Sequence, residues 1–242
     1  MDNQPIDSES AKFALQESWE LHRQAFGPIL EPAFVENQQV RIMLINALNH
    51  LSRHEIKQGM EILKNIQQYC MYDEDKAAWA FFVGLCFEMA AAREQMLDWY
   101  EKAGKFGHRF YLPYLKLAKA AHSAAQFEKA KAYYETAIAC LHEMSEKDKD
   151  EIVLGSAYTN YASCLTMLHQ YADAECAWNA AQQYPAQPGA DATAAILYAA
   201  MGNAEKVAEH IDRLRNKLPA WVTQTQQMTQ QILDGTHPAF PK

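Results

Sequence analysis

The chain has 242 residues, 49% of them hydrophobic, which is enough to bury a sizeable core and excludes general disorder. Its 22 Lys and Arg against 30 Asp and Glu give a formal charge of −8 with no basic stripe, so a nucleic-acid surface is not expected. Alanine occurs 39 times, against nine glycines, nine prolines and six valines, a balance that favours helices over strands.

In chain order, Met1 to Ser10 is polar and acidic, without the basic-then-apolar pattern of a signal peptide. No apolar run approaches the roughly 20 residues of a membrane-spanning helix. Residues 10–26, with Phe13, Trp19 and Phe26, predict a helix broken by Gly27, Pro28 and Pro32, so 1–39 is assigned as an N-terminal helical cap. Cys70, Cys86, Cys140, Cys164 and Cys176 show no CxxC spacing and read as reduced core hydrophobes, as in a cytoplasmic protein.

His50 and His54 stand four apart on an expected helix, followed by Glu55. The spacing suits a shared metal, but no third ligand is marked and the HExxH order is missing. The reading is two partly exposed helix histidines, with no metal and no cofactor. Asp73, Glu74 and Asp75 are placed in an inter-helix connection, without an acid–base partner.

An internal repeat follows. In 126–137, Phe127, Ala130, Tyr134 and Ala137 are matched one for one by Tyr171, Ala174, Trp178 and Ala181 in 170–181. The spacing three, four, three lays one apolar stripe along a helix, with small residues where a neighbour comes close. The register recurs in Met96, Tyr100 and Ala103, and in Val207, Ile211 and Leu214. Twelve residues before each such helix stands a small residue in another helical stretch: Gly84, Ala118, Ala162 and Ala195. Helix pairs recurring at this interval predict antiparallel hairpins stacked in series.

These positions resemble the tetratricopeptide repeat family. The fold class expected is all-α, a right-handed superhelical solenoid of stacked antiparallel helix hairpins. Residues 40–221 divide into about five units, at 77–110, 111–144, 155–187 and 188–221, with a less regular one at 40–73. The second offers Tyr114, Leu117, Ala118, Ala121, Ala130, Tyr134 and Ala137. The third offers Tyr158, Tyr161, Ala162, Leu165, Ala174, Trp178 and Ala181. The fourth carries the turn Gly202-Asn203-Ala204-Glu205 and Pro219 near its end. Departures are Ala80 where a bulky residue is usual, Met96 for the inner Ala, and Gly59, Leu63 and Ile66 in the second helix of 40–73. Residues 145–154 are extra, a longer helix or a loop, and the charge run from Glu146 to Glu151 reads as a solvated helix end or loop. Residues 222–242 are assigned as a capping helix and a loose tail. That helix, from about Ala220 to Asp234, faces Trp221, Met228 and Ile232 to the last repeat and stops at Gly235.

No GxSxG, GxxxxGK[ST] or GxGxxG motif occurs, and no enzyme is expected. The resemblance implies a concave groove lined by the first helix of each unit. Its family positions fall on Phe81, Leu85, Glu88 and Met89, then Leu112, Leu115, Lys116, Lys119 and His122, then Asn160 and Ser163. The expected groove grades from apolar through basic to small and polar. The family's carboxylate clamp needs Lys at position 5, which here is Leu44, Phe81, Leu115, Thr159 and Ala192, so a chaperone-tail receptor is not expected. The implied function is a protein-interaction scaffold, an adaptor or chaperone-like protein holding a partner peptide segment. Alternatives are a peptide- or small-molecule-sensing regulator, or a self-association module forming a homo-oligomer.

Overall fold

A computed structural model describes Val35, residues 37–107, 109–144, 150–185, Gln187 and 189–240. The helix expected over 10–26 lies outside these residues, as does 146–149 of the charge run. The described elements are helices: α1 (Gln38–Ser52), α2 (Ile56–Ile66), α3 (Asp73–Met89), α4 (Arg93–Phe106), α5 (Tyr111–Ser123), α6 (Phe127–Glu143), α7 (Glu151–Met167), α8 (Tyr171–Ala181), α9 (Ala190–Ala200), α10 (Ala204–Lys217) and α11 (Pro219–Leu233). A short 3₁₀ turn, Gln67–Tyr69, extends α2. No strand occurs among the described residues, and no described helix is long and apolar enough to cross a membrane.

One backbone device makes every hairpin. α1, α3, α5, α7 and α9 each end in a left-handed residue: His54, Ala91, Ala125, His169 and Gly202. The N–H of that residue donates to a carbonyl three back, and the next N–H to one five back. Ala125 thus donates to His122 and Gln126 to Ala121, both at 2.9 Å, and the same pair of bonds recurs from Gly202 to Ala199 and from Asn203 to Tyr198. These bonds satisfy the carbonyls that a helix end leaves unpaired and reverse the chain within two residues. Counted from the starts of the registers 40–73 to 188–221, each left-handed residue is the fifteenth. Gly235 repeats the device after α11. His54 therefore stands in a turn and not on α1, which corrects its placement on one helix with His50. His50 Nδ1 meets Glu55 Oε2 at 2.6 Å instead.

Residues to Tyr114 and residues from Leu115 form two compact units, with the boundary inside α5. In the first, α3 packs on α1, α2 and α4 and is buried at Asp75 and from Ala77 to Cys86. A helix apolar all round belongs in a core. Phe81 meets the rings of Phe82, Tyr100 and Phe110 at 6.0, 5.3 and 5.4 Å. Trp79 Nε1 donates to Leu63 O at 2.8 Å, tying α3 to α2. Gly84 is what lets α4 approach, since a Cβ there would lie 2.7 Å from the Tyr100 ring. Asp73, Glu74 and Asp75 are not a connection but the first turn of α3, where carboxylates suit the positive end of the helix dipole. Asp75 is fully buried there and accepts from the N–H of Asn37 at 3.1 Å.

In the second unit α7 packs on α6, α8 and α9, and α11 closes over α9 and α10. Ala162, Leu165, Trp178, Ala195, Leu197, Ile211 and Leu214 are buried in one cluster. The extra residues before 155 include four of helix, because Asp150 accepts from the Val153 N–H at 3.0 Å and starts α7 at Glu151. Pro219 opens α11, where a missing N–H costs nothing. α11 buries Val222, Thr225, Thr229 and Ile232. Trp221, expected on that face, is 51% exposed, its ring edge resting against Gly189. The tail expected to be loose is docked as far as it is described: Phe240 is 4% exposed, its ring 5.6 Å from that of His169. Burying a phenyl ring outweighs ordering so short a segment. Cys86, Cys140 and Cys164 are buried and Cys70 half-buried, but Cys176 is exposed, against the expectation of five core thiols.

Candidate binding surface

In the first unit, the expected apolar wall is core. Phe81 is 2% exposed and Leu85 is buried, because α3 is enclosed by helices on several sides. Neither offers a partner surface, which corrects their assignment as contact residues. Glu88 and Met89, in the last turn of α3, and Leu112 in α5 are half-buried. The Tyr100 hydroxyl donates to Glu88 at 2.5 Å, and burial and this carboxylate together push the Tyr100 phenol far above its ordinary range.

In the second unit Leu115 is also buried, a third correction to the apolar wall. Lys119 is exposed, and Lys116 and His122 are half-buried. His122 sits edge-on to Phe127 and Tyr134, at 5.4 and 6.4 Å. Burial among these rings lowers its pKa, so the imidazole is a neutral packing group near pH 7.

α7 places Asn160 and Ser163 as half-buried residues, with Ser156 and Met167, the third unit's outer family positions, at the same spacing and equally half-buried. The four stand at i, i+4, i+7 and i+11, one stripe of a helix. Asn160 Nδ2 lies 3.5 Å from Ser156 Oγ. Thr159 and Thr166 interleave but are buried, and their hydroxyls donate back to Gly155 O and Ala162 O at 2.9 and 2.8 Å. α9, packed against α7, repeats the stripe with half-buried Thr193, Ile196 and Ala200. The sequence reading stopped at the third unit. The same family positions carried one register further would have found these three.

The seven side chains of the two stripes are uncharged and mostly small. Charged groups are held nearby in fixed pairs: Tyr161 donates to Glu135 at 2.7 Å, and Lys206 to Glu175 at 3.1 Å while lying 4.1 Å from the Tyr198 ring centroid. Deeper in the unit, Asp191 is 3% exposed and accepts from His210 Nδ1 at 3.0 Å and Lys217 Nζ at 2.8 Å. Burial alone would push this carboxyl up, but Lys217 and His210 hold it below its ordinary range. No group of three or more His, Cys, Asp or Glu able to hold a metal occurs among the described residues.

No protein-family model matches the chain, and no curated protein sequence does. Solved structures do match. YrrB, described as a TPR protein with an unusual peptide-binding site, aligns with a TM-score of 0.59 at 19% identity over 82% of this chain and 97% of its own. PilW, a type IV pilus biogenesis factor, aligns with a TM-score of 0.63 at 13% identity over 84% of this chain and 89% of its own. MamA aligns with a TM-score of 0.50 at 15% identity over 75% and 92%. At these identities the likeness is one of fold. The fold of the chain is the tetratricopeptide repeat fold.

Proposed function

We propose that the chain is an adaptor that holds a segment of a partner protein against α7 and α9. The observation that carries this reading is the pair of stripes, Ser156, Asn160, Ser163 and Met167 beside Thr193, Ile196 and Ala200. Each is half-buried and so still reaches solvent. Small side chains let a partner backbone come close. Asn160 supplies both a donor and an acceptor for a main-chain amide, and Met167 and Ile196 supply the adaptable apolar contact. A surface without net charge suits an uncharged extended or helical segment.

Ile196→Glu and Ser163→Trp test this, since neither residue is in the fully buried core. Both variants should keep wild-type helicity and lose the proteins that wild type captures from a lysate. The reading fails if both variants capture the same set at the same level.

A further inference from the structure

Beside the end of α8 and the first turn of α9 lies a cleft of about 190 Å³. Trp178 and Ala181 give it an apolar side, and Gln187, Asp191, Arg213 and Lys217 a polar one. The buried Asp191 is already saturated, one oxygen by His210 and the other by Lys217, and His210 is itself stacked on Tyr198 and edge-on to Trp178 at 5.6 and 5.5 Å. Burying a carboxylate this deeply is costly unless it is paired, and here the pairing has a second effect: it pins the Lys217 ammonium at the cleft. Lys217 spends one of its three protons on Asp191. Arg213, one turn earlier on α10, donates to Glu209 in an exposed helix pair of the kind that is weak and readily displaced. The charged lining residues are two cations and one anion, and Glu209 on Arg213 brings the local charges to two of each sign.

We propose that this cleft binds a molecule carrying a single carboxylate beside a short apolar group. The carboxylate is held by Arg213, in place of Glu209, and by Lys217, both of which line the space, and the apolar group lies on Trp178 and Ala181. A planar fork beside a point cation suits a carboxylate. The volume is that of about six waters, enough for a small acid or the last two residues of a chain. The site uses none of the α7 and α9 stripe residues and stands or falls independently of the function proposed for them.

Isothermal titration of the intact protein with N-acetyl-alanyl-alanine, its C-terminal amide and butyrate tests it. The free acid should bind and the amide should bind at least tenfold more weakly. Arg213→Gln should weaken the acid about tenfold, one lost charge-assisted hydrogen bond, and Glu209→Gln should leave it equal or tighter. If butyrate matches the dipeptide, the natural ligand is a small acid; if only the dipeptide binds, it is a chain end. Equal binding of acid and amide overturns the proposal. So does the absence of binding by either acid at about 10 mM, or indifference to Arg213→Gln in a variant that melts with the wild type.

Discussion

At the scale of single residues, the hairpin turns hold strain that can be measured. Ala91 and Ala125 adopt φ of 55°, a region where a Cβ costs roughly 1–2 kcal/mol and glycine does not pay it. Ala125→Gly should therefore stabilise the fold by about 0.5–1 kcal/mol in urea titrations, after the extra freedom of glycine in the unfolded chain is subtracted. Gly202→Ala, at the same place two hairpins further on with φ of 76°, should destabilise by about 1 kcal/mol. Gly84 responds to a different constraint. Its φ is ordinary, but a methyl there meets the buried Tyr100 ring, so Gly84→Ala should cost about 1–2 kcal/mol despite the better helix propensity of alanine.

Asp191 makes a pH-dependent contribution of definite sign. Its folded pKa lies below the ordinary 3.8, so its pairing stabilises above that value and is lost as pH falls through the lower, folded one. Wild type should lose urea resistance below about pH 4 more steeply than Asp191→Asn, which is weaker at pH 7 but lacks this titration. Parallel pH profiles for the two would remove Asp191 as the cause.

At the scale of elements, the end of the chain is more structural than its composition suggests. α11 covers α9 and α10, and Phe240 folds back over His169 and His237. Phe240→Ala should cost about 3 kcal/mol, read from thermal melts, whereas Trp221→Ala, with half its surface in water, should cost less than about 1 kcal/mol. The difference shows where sequence reading ran out. Helix α11 was legible from its 3.6-residue pattern and from Pro219 and Gly235, but Trp221 and Val222 are adjacent and either can face inward. The packing against Gly189 decides between them, and no local pattern carries that information.

At the scale of the whole molecule, the repeat itself was readable because its signal is periodic. Ala130, Tyr134 and Ala137, and their counterparts around Trp178, are needed in every hairpin and therefore recur. The turn residues were far less readable. Only Gly202 among the five hairpin turns is a glycine; Ala91, Ala125, His54 and His169 adopt the same conformation with no compositional mark. The exposure of the expected contact residues was legible only in part. Asn160 and Ser163 lie on an accessible stripe, while Phe81, Leu85 and Leu115 are core. A family position says which way a side chain leaves its helix, but not whether another helix already lies there. α3 has neighbours on several sides, and its nearly continuous apolar sequence from Ala77 to Leu85 was the available sign.

The central claim, that α7 and α9 form the working surface, is tested most directly by site-specific photo-crosslinking. A benzophenone amino acid placed at Ser163 and, separately, at Glu209 on the exposed side of α10 should give different results in cells. Discrete adducts with one partner at 163 and none at 209 are the predicted outcome. Adducts at 209 with none at 163 would contradict the account and move the working surface to the second helices of the hairpins.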